Sequence, residues 1–168
     1  MKSYDKIKNF STSIDASKTI GEIELMLTKF GITKILKEYD ENGLINMLTF
    51  AIRTKYGEMP VKLPINIQGI MNVFKIQVSN NKLPRKFWGS EWSKEQAYRV
   101  GWRILKDWLD SQLNLLSIEM VKIEEIFLPY IYNPSLGKTI FEMIEGKKFN
   151  LALEDKSISD NQITMSDS

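Results

Sequence analysis

The chain contains neither cysteine nor histidine. Disulfides, thiolate nucleophiles, zinc centres of the Cys/His kind and proton shuttling through imidazole are thereby excluded, and with them most familiar hydrolytic mechanisms. Long apolar runs are missing as well. No segment approaches the ~18 residues needed to span a bilayer, and Met1-Lys2-Ser3-Tyr4-Asp5 leads into no apolar signal core, so a cytoplasmic protein is expected. A large charge of one sign is also lacking, because 23 Lys and Arg stand against 21 Asp and Glu for a formal net charge of +2. That balance does not demand a nucleic-acid partner, but the charge is unevenly spread. Glu154, Asp155, Asp160 and Asp167 against Lys156 give the last fifteen residues a charge of −3 and leave the body at +5.

What is present suits one folded domain. A chain of 168 residues with 43% hydrophobic, 11% aromatic and 26% charged residues has the composition of an ordinary globular protein and the length to bury a substantial core. Residues 1–153 are expected to form a single α+β domain. Residues 154–168, made of Ser, Asp, Asn and Gln with isolated apolar positions, lack the apolar area to offset their ordering entropy and read as a disordered acidic tail.

Hydrophobic spacing sets the order of elements. Ile20, Ile23, Met26, Leu27 and Phe30 share one helical face between Ser17 and Phe30, with Thr19 and Glu22 at capping-box spacing and Gly31 as the stop. Ile32 to Tyr39 and Leu44 to Lys55 read as two strands of a hairpin around Asp40-Glu41-Asn42-Gly43. Met59, Val61 and Leu63 continue at period two, and Pro60 and Pro64 place that strand at a sheet edge. Helical spacing returns from Asn66 to Val78, where Gly69 is the weak point. Ser79 to Trp92 has no period and reads as the main loop. Ser93 and Gln96 then suggest another capping box, opening the longest helix from Lys94 to about Ser117. Its two apolar stripes predict packing on more than one side, with Trp102 and Trp108, about 120° apart on the helix, facing different layers: the sheet, and either the C-terminal helices or a second copy of the chain in a homo-oligomer. Short helices at Lys122–Leu128 and Thr139–Glu145 follow, the second with a Thr139/Glu142 capping box. The predicted fold is therefore a three-stranded antiparallel sheet covered by helices (α-β-β-β-α) with a helical C-terminal half.

Few motifs carry chemistry. Leu136-Gly137-Lys138-Thr139 looks like the end of a phosphate-binding loop, but the first glycine of that pattern falls on Tyr132. The carboxylates are scattered, and a magnesium site from Asp40, Glu41 or Glu58 competes with the plainer reading of solvated turn charges. No metal and no cofactor is expected. The loop from Lys82 to Trp92 is richer: Lys82, Arg85 and Lys86 suit phosphates, and Phe87, Trp88 and Trp92 suit base stacking. Large aromatics beside a long helix also serve as core anchors, so both readings stand. Arg99, Arg103 and Lys106 form a basic stripe on the long helix, whose i,i+4 neighbours Glu95, Asp107 and Asp110 could neutralise it.

Three segments carry a resemblance: Ser17-Lys18-Thr19-Ile20-Gly21-Glu22-Ile23, then Gln96-Ala97-x-Arg99-Val100-x-Trp102-Arg103-x-x-Lys106-Asp107-Trp108, then Ile126-Phe127-Leu128-Pro129-Tyr130. With these, the chain from about Thr12 to Glu145 resembles a family of small, functionally uncharacterised proteins encoded by phages and prophages. The resemblance implies a mobile-element accessory protein in the host cytoplasm, in a setting where handling nucleic acid and blocking host defence are common roles. The expected function is a non-enzymatic binding protein that engages nucleic acid or a nucleotide through the Lys82–Trp92 loop and the Arg99, Arg103, Lys106 stripe. Its alternative is an anti-defence inhibitor that occludes a host immune protein or sequesters a nucleotide signal. A metal-dependent nuclease is the enzymatic competitor.

Overall fold

A computed structural model describes residues 5–149, so the acidic tail expected at 154–168 lies outside the described residues. The elements run α1 (Ala16–Lys29), β1 (Ile35–Tyr39), β2 (Ile45–Thr54), β3 (Gly57–Lys62), α2 (Ile67–Ser79), α3 (Glu91–Ser117), α4 (Ile123–Phe127), β4 (Tyr132–Asn133), β5 (Lys138–Thr139) and α5 (Ile140–Gly146). Short 3₁₀ turns occupy Arg85–Phe87 and Leu128–Tyr130. The three-stranded antiparallel sheet has the order β1-β2-β3, as alternation in the sequence predicts. The small β4–β5 hairpin is an addition that the turn at Asn133-Pro134-Ser135 does not announce. Among the described residues no helix is long and apolar enough to cross a membrane.

Local chemistry explains the strands. Asp40 turns the β1–β2 hairpin by accepting hydrogen bonds on Oδ1 from the backbone N–H of Asn42 at 2.9 Å and of Leu44 at 2.8 Å. Gly43 supplies the positive φ of 75° that the turn requires. Leu48, Phe50 and Ile52 on β2 all point into the core, as period two dictates. Pro60 lies opposite Ala51 on β3, which is the last strand of the ladder. Beyond it stands an isolated bridge from Val61 to Ile131, which ties the C-terminal segment to the sheet.

Two capping assignments change. Asp15, not Thr19, caps α1, without a side-chain hydrogen bond, while Thr19 sits fully buried inside the helix. The α3 box uses Ser90 and Ser93, so that helix begins three residues before the predicted Lys94. In both places the residue expected at N3, Glu22 or Gln96, bonds to a distant partner instead. The Thr139/Glu142 box forms as predicted.

Helix α3 is the spine of the molecule. One side joins α1 and the sheet in the main core, through Trp102, Leu105, Leu109 and Leu113 against Ile20, Ile23, Leu27, Leu48, Phe50 and Val61. Another side meets α2 and the loop in a second core of Phe74, Leu83, Phe87, Ala97 and Val100. Burying each such large side chain contributes about 1.5–3 kcal/mol, so both faces of α3 are committed to packing. Gly101 faces α2 without room for a side chain, since a Cβ there would stand 2.6 Å from Ile67 Cδ1. The two tryptophans separate as their angular offset predicts. Trp102 lies fully buried edge-on to Tyr98, whose hydroxyl donates to the Ile45 carbonyl of β2 at 3.0 Å, whereas Trp108 packs on Phe127 and Tyr130 of the C-terminal segment.

Candidate nucleic-acid interface

The segment from Lys82 to Trp92 is tied down by its aromatic residues. Phe87 is buried, with its ring packed against Phe74 at 5.1 Å, Trp92 at 5.0 Å and Phe10 at 6.0 Å. It presents no face to a ligand, and the core-anchor reading holds for this residue. Trp92 is half-buried beside it. Trp88 has the opposite fate: the 3₁₀ turn at Arg85–Phe87 sends it outward, and it remains 39% exposed with the Lys75 ammonium 5.3 Å from its ring centre.

The cations of the loop differ in what already holds them. Lys82 pairs with Asp5 at 3.3 Å. Lys86 is seated over the Trp92 ring at 4.6 Å and near Phe87 at 5.8 Å, a cation–π arrangement that narrows its rotamers while leaving the charge unneutralised. Arg85 is exposed and its side chain has no partner among the described residues.

The basic stripe on α3 divides in the same way. Arg103 is committed to Glu22 of α1 at 2.6 Å, and this pair, not the expected Arg103–Asp107 pair, neutralises it. Asp107 pairs instead with Lys8 at 2.9 Å and accepts from Asn9 at 3.0 Å. Burial opposes the charge on Asp107, but those hydrogen bonds outweigh it and hold the carboxyl below its ordinary range. Lys106 is half-buried and forms no ion pair among the described residues. Arg99 is held loosely, with Gln96 at 3.5 Å, Asp15 at 3.7 Å and Glu95 at 3.9 Å.

Four of the residues singled out in the sequence come together around one cleft. Lys86, Phe87, Trp92 and Arg99 line a hollow of about 360 Å³ whose opposite wall is the N-terminal segment Phe10–Ser13. Gln96 builds that wall: its buried carboxamide donates to the carbonyls of Phe10 and Thr12, both at 2.8 Å. A broader depression of about 590 Å³ runs along α2, lined by Asn72, Lys75, Ile76, Ser79 and Asn80.

No family model, curated protein or solved structure matches this chain.

The signal that would have found Lys75 is an absence of acid. From Met59 through Ser90 the sequence has five basic residues, Lys62, Lys75, Lys82, Arg85 and Lys86, and no Asp or Glu. Of these, only Lys82 gains a carboxylate partner among the described residues. The resulting surface of α2 and the loop combines uncompensated cations with one exposed indole. Among the described residues no three carboxylates gather in a way that could hold a metal ion.

Proposed function

We propose that the protein is a non-enzymatic nucleic-acid-binding protein whose contact surface is the outer side of α2 and the Lys82–Trp92 loop. One observation carries this reading: among the described residues Lys75, Arg85 and Lys86 have no carboxylate partner, they lie in a stretch free of acid, and they stand beside the exposed ring of Trp88. Free cations release counterions from phosphates on binding, and an exposed indole adds base stacking of about 1–3 kcal/mol. Arg103 does not belong to this surface, because its charge is already met by Glu22.

The test is a salt series with labelled single-stranded and duplex probes. Replacing Arg85 and Lys86 with Ala should lower the slope of log K against log salt by about 0.7 per lost contact on single strands and about 0.9 on duplex. Trp88→Ala should weaken single-strand binding without changing that slope. Absence of any binding at about 50 mM salt, where phosphate contacts are strong, removes the reading and leaves a protein partner, such as a host defence protein, for this surface.

A further inference from the structure

The cleft beside this surface has the features of a site for one nucleotide. Its volume of about 360 Å³ lies at the small end of the range of ligand pockets, about 300–1,000 Å³. The half-buried rings of Trp92 on one wall and Phe10 on the other make it partly aromatic, with buried Phe87 packed behind them. The Lys86 ammonium is seated on the Trp92 ring, so part of the entropy of fixing it is met before any ligand arrives.

Arg99 is the second cation of the cleft, and comparison with Arg103 shows how free it is. The Arg103 fork is engaged at 2.6 Å by a half-buried carboxylate, whereas every contact of the Arg99 guanidinium is 3.5 Å or longer. The two carboxylates near Arg99 have side chains 75% (Asp15) and 66% (Glu95) exposed, so both are well solvated and hold it weakly. A phosphate that accepts two parallel N–H bonds from the fork makes a shorter and stronger contact than either. Ser11 and Ser13 line the same cleft, and neither hydroxyl has a partner among the described residues.

We propose that this cleft binds a nucleoside bearing a terminal phosphate, with the phosphate at Arg99 and the serine hydroxyls and the base beside the rings of Phe10 and Trp92. A continuous strand can cross the open side of α2, whereas the hollow between Phe10–Ser13 and the wall of Pro84, Lys86 and Phe87 has the volume for one nucleotide, the unit that a strand end or a free mononucleotide offers. The inference rests on the nucleic-acid reading where the nucleotide is the end of a strand. A free mononucleotide presents the same chemistry.

The experiment uses the full chain and short oligothymidylates phosphorylated at the 5′ end, at the 3′ end or at neither, with thymidine monophosphates as competitors. Wild type should bind one phosphorylated strand about tenfold more tightly than the unphosphorylated strand, the worth of one charge-assisted contact. Arg99→Gln should erase that preference and keep the affinity for the unphosphorylated strand, while Arg85→Ala should weaken all strands alike. Lys86→Ala, which trims an exposed side chain, serves as the second variant should Arg99→Gln fail to fold, and it too should reduce the preference. Competition by the monophosphate identifies the free nucleotide as a sufficient ligand, and a gain confined to the strand identifies its end; either supports the cleft. Equal affinity for all strands with no binding of monophosphate overturns the inference and leaves the nucleic-acid reading standing. Monophosphate binding without any strand binding overturns that reading and leaves the cleft. Binding of neither overturns both.

Discussion

Arg103 and Glu22 lie 2.6 Å apart across the junction of α3 and α1, though 81 positions separate them in the chain. The pair is half-buried on both sides, so its attraction is only partly screened. It turns a cation that the sequence offers as a ligand group into a structural clamp. Arg103→Ala should lower stability by about 1 kcal/mol, between the values for exposed ion pairs and for charged hydrogen bonds. Nucleic-acid affinity should stay unchanged. Denaturant unfolding together with a binding isotherm reads both, and a large loss of affinity at unchanged stability would move Arg103 back to the interface.

Gly101 of α3 lies against Ile67 of α2. Gly101→Ala gains about 1 kcal/mol of helix propensity, but its methyl would meet Ile67 Cδ1 at 2.6 Å. Overpacking of this kind costs about 1–3 kcal/mol, so the net effect should be a modest loss. Ile67→Val removes the clashing atom. The double variant should therefore be more stable than Gly101→Ala alone, and additivity in that cycle would show that the two helices do not meet there.

Thr19 is fully buried and its hydroxyl has no hydrogen-bond partner among the described residues. Leaving a buried polar group unsatisfied costs about 1–3 kcal/mol, and an apolar group of the same shape avoids that cost. Thr19→Val should raise the denaturation midpoint. A fall instead would reveal a partner for the hydroxyl, such as a buried water.

Asp107 gives the fold a defined response to acid. Its carboxyl is held below the unfolded value by Asn9 and Lys8 against the opposing effect of burial, so its contribution is fully present above the ordinary carboxylate range, about pH 4. It is lost as pH falls through the lowered folded value. Asp107→Asn should therefore reduce stability at neutral pH and flatten the decline at acid pH. Thermal melts of both proteins from about pH 7 to pH 2 test the sign.

The parts of the fold legible in the sequence are those decided within a few residues. Asp40 and Gly43 make their hairpin with their own neighbours, and Thr139 and Glu142 cap α5 across one turn. Thr19/Glu22 and Ser93/Gln96 have the same spacing, yet Glu22 goes to Arg103 and Gln96 to Phe10 and Thr12, more than eighty positions away. A spacing rule carries no information about partners at that separation. The site divides similarly. The choice between Phe87 inward and Trp88 outward depends on a 3₁₀ turn that the loop composition does not announce. Lys75 is concealed because it sits singly on an amphipathic helix, and only the missing acids around it mark it.

The arrangement of two cores on a single spine has a consequence for how the molecule assembles and breathes. The buried members of the second core all lie between Phe74 and Val100, whereas the main core joins Ile20 of α1 to Trp102 and Leu109 of α3. Short loops close at a lower entropic cost than long ones. The α2–loop–α3 unit can thus form early and act as a cooperative unit of its own, with α1 and the sheet docking later. The surface offered to a nucleic acid lies on a unit closed by near neighbours in the chain, so a refolding chain can display its cations before α1 has docked. Amide exchange followed during refolding should protect α2 and the first half of α3 ahead of α1.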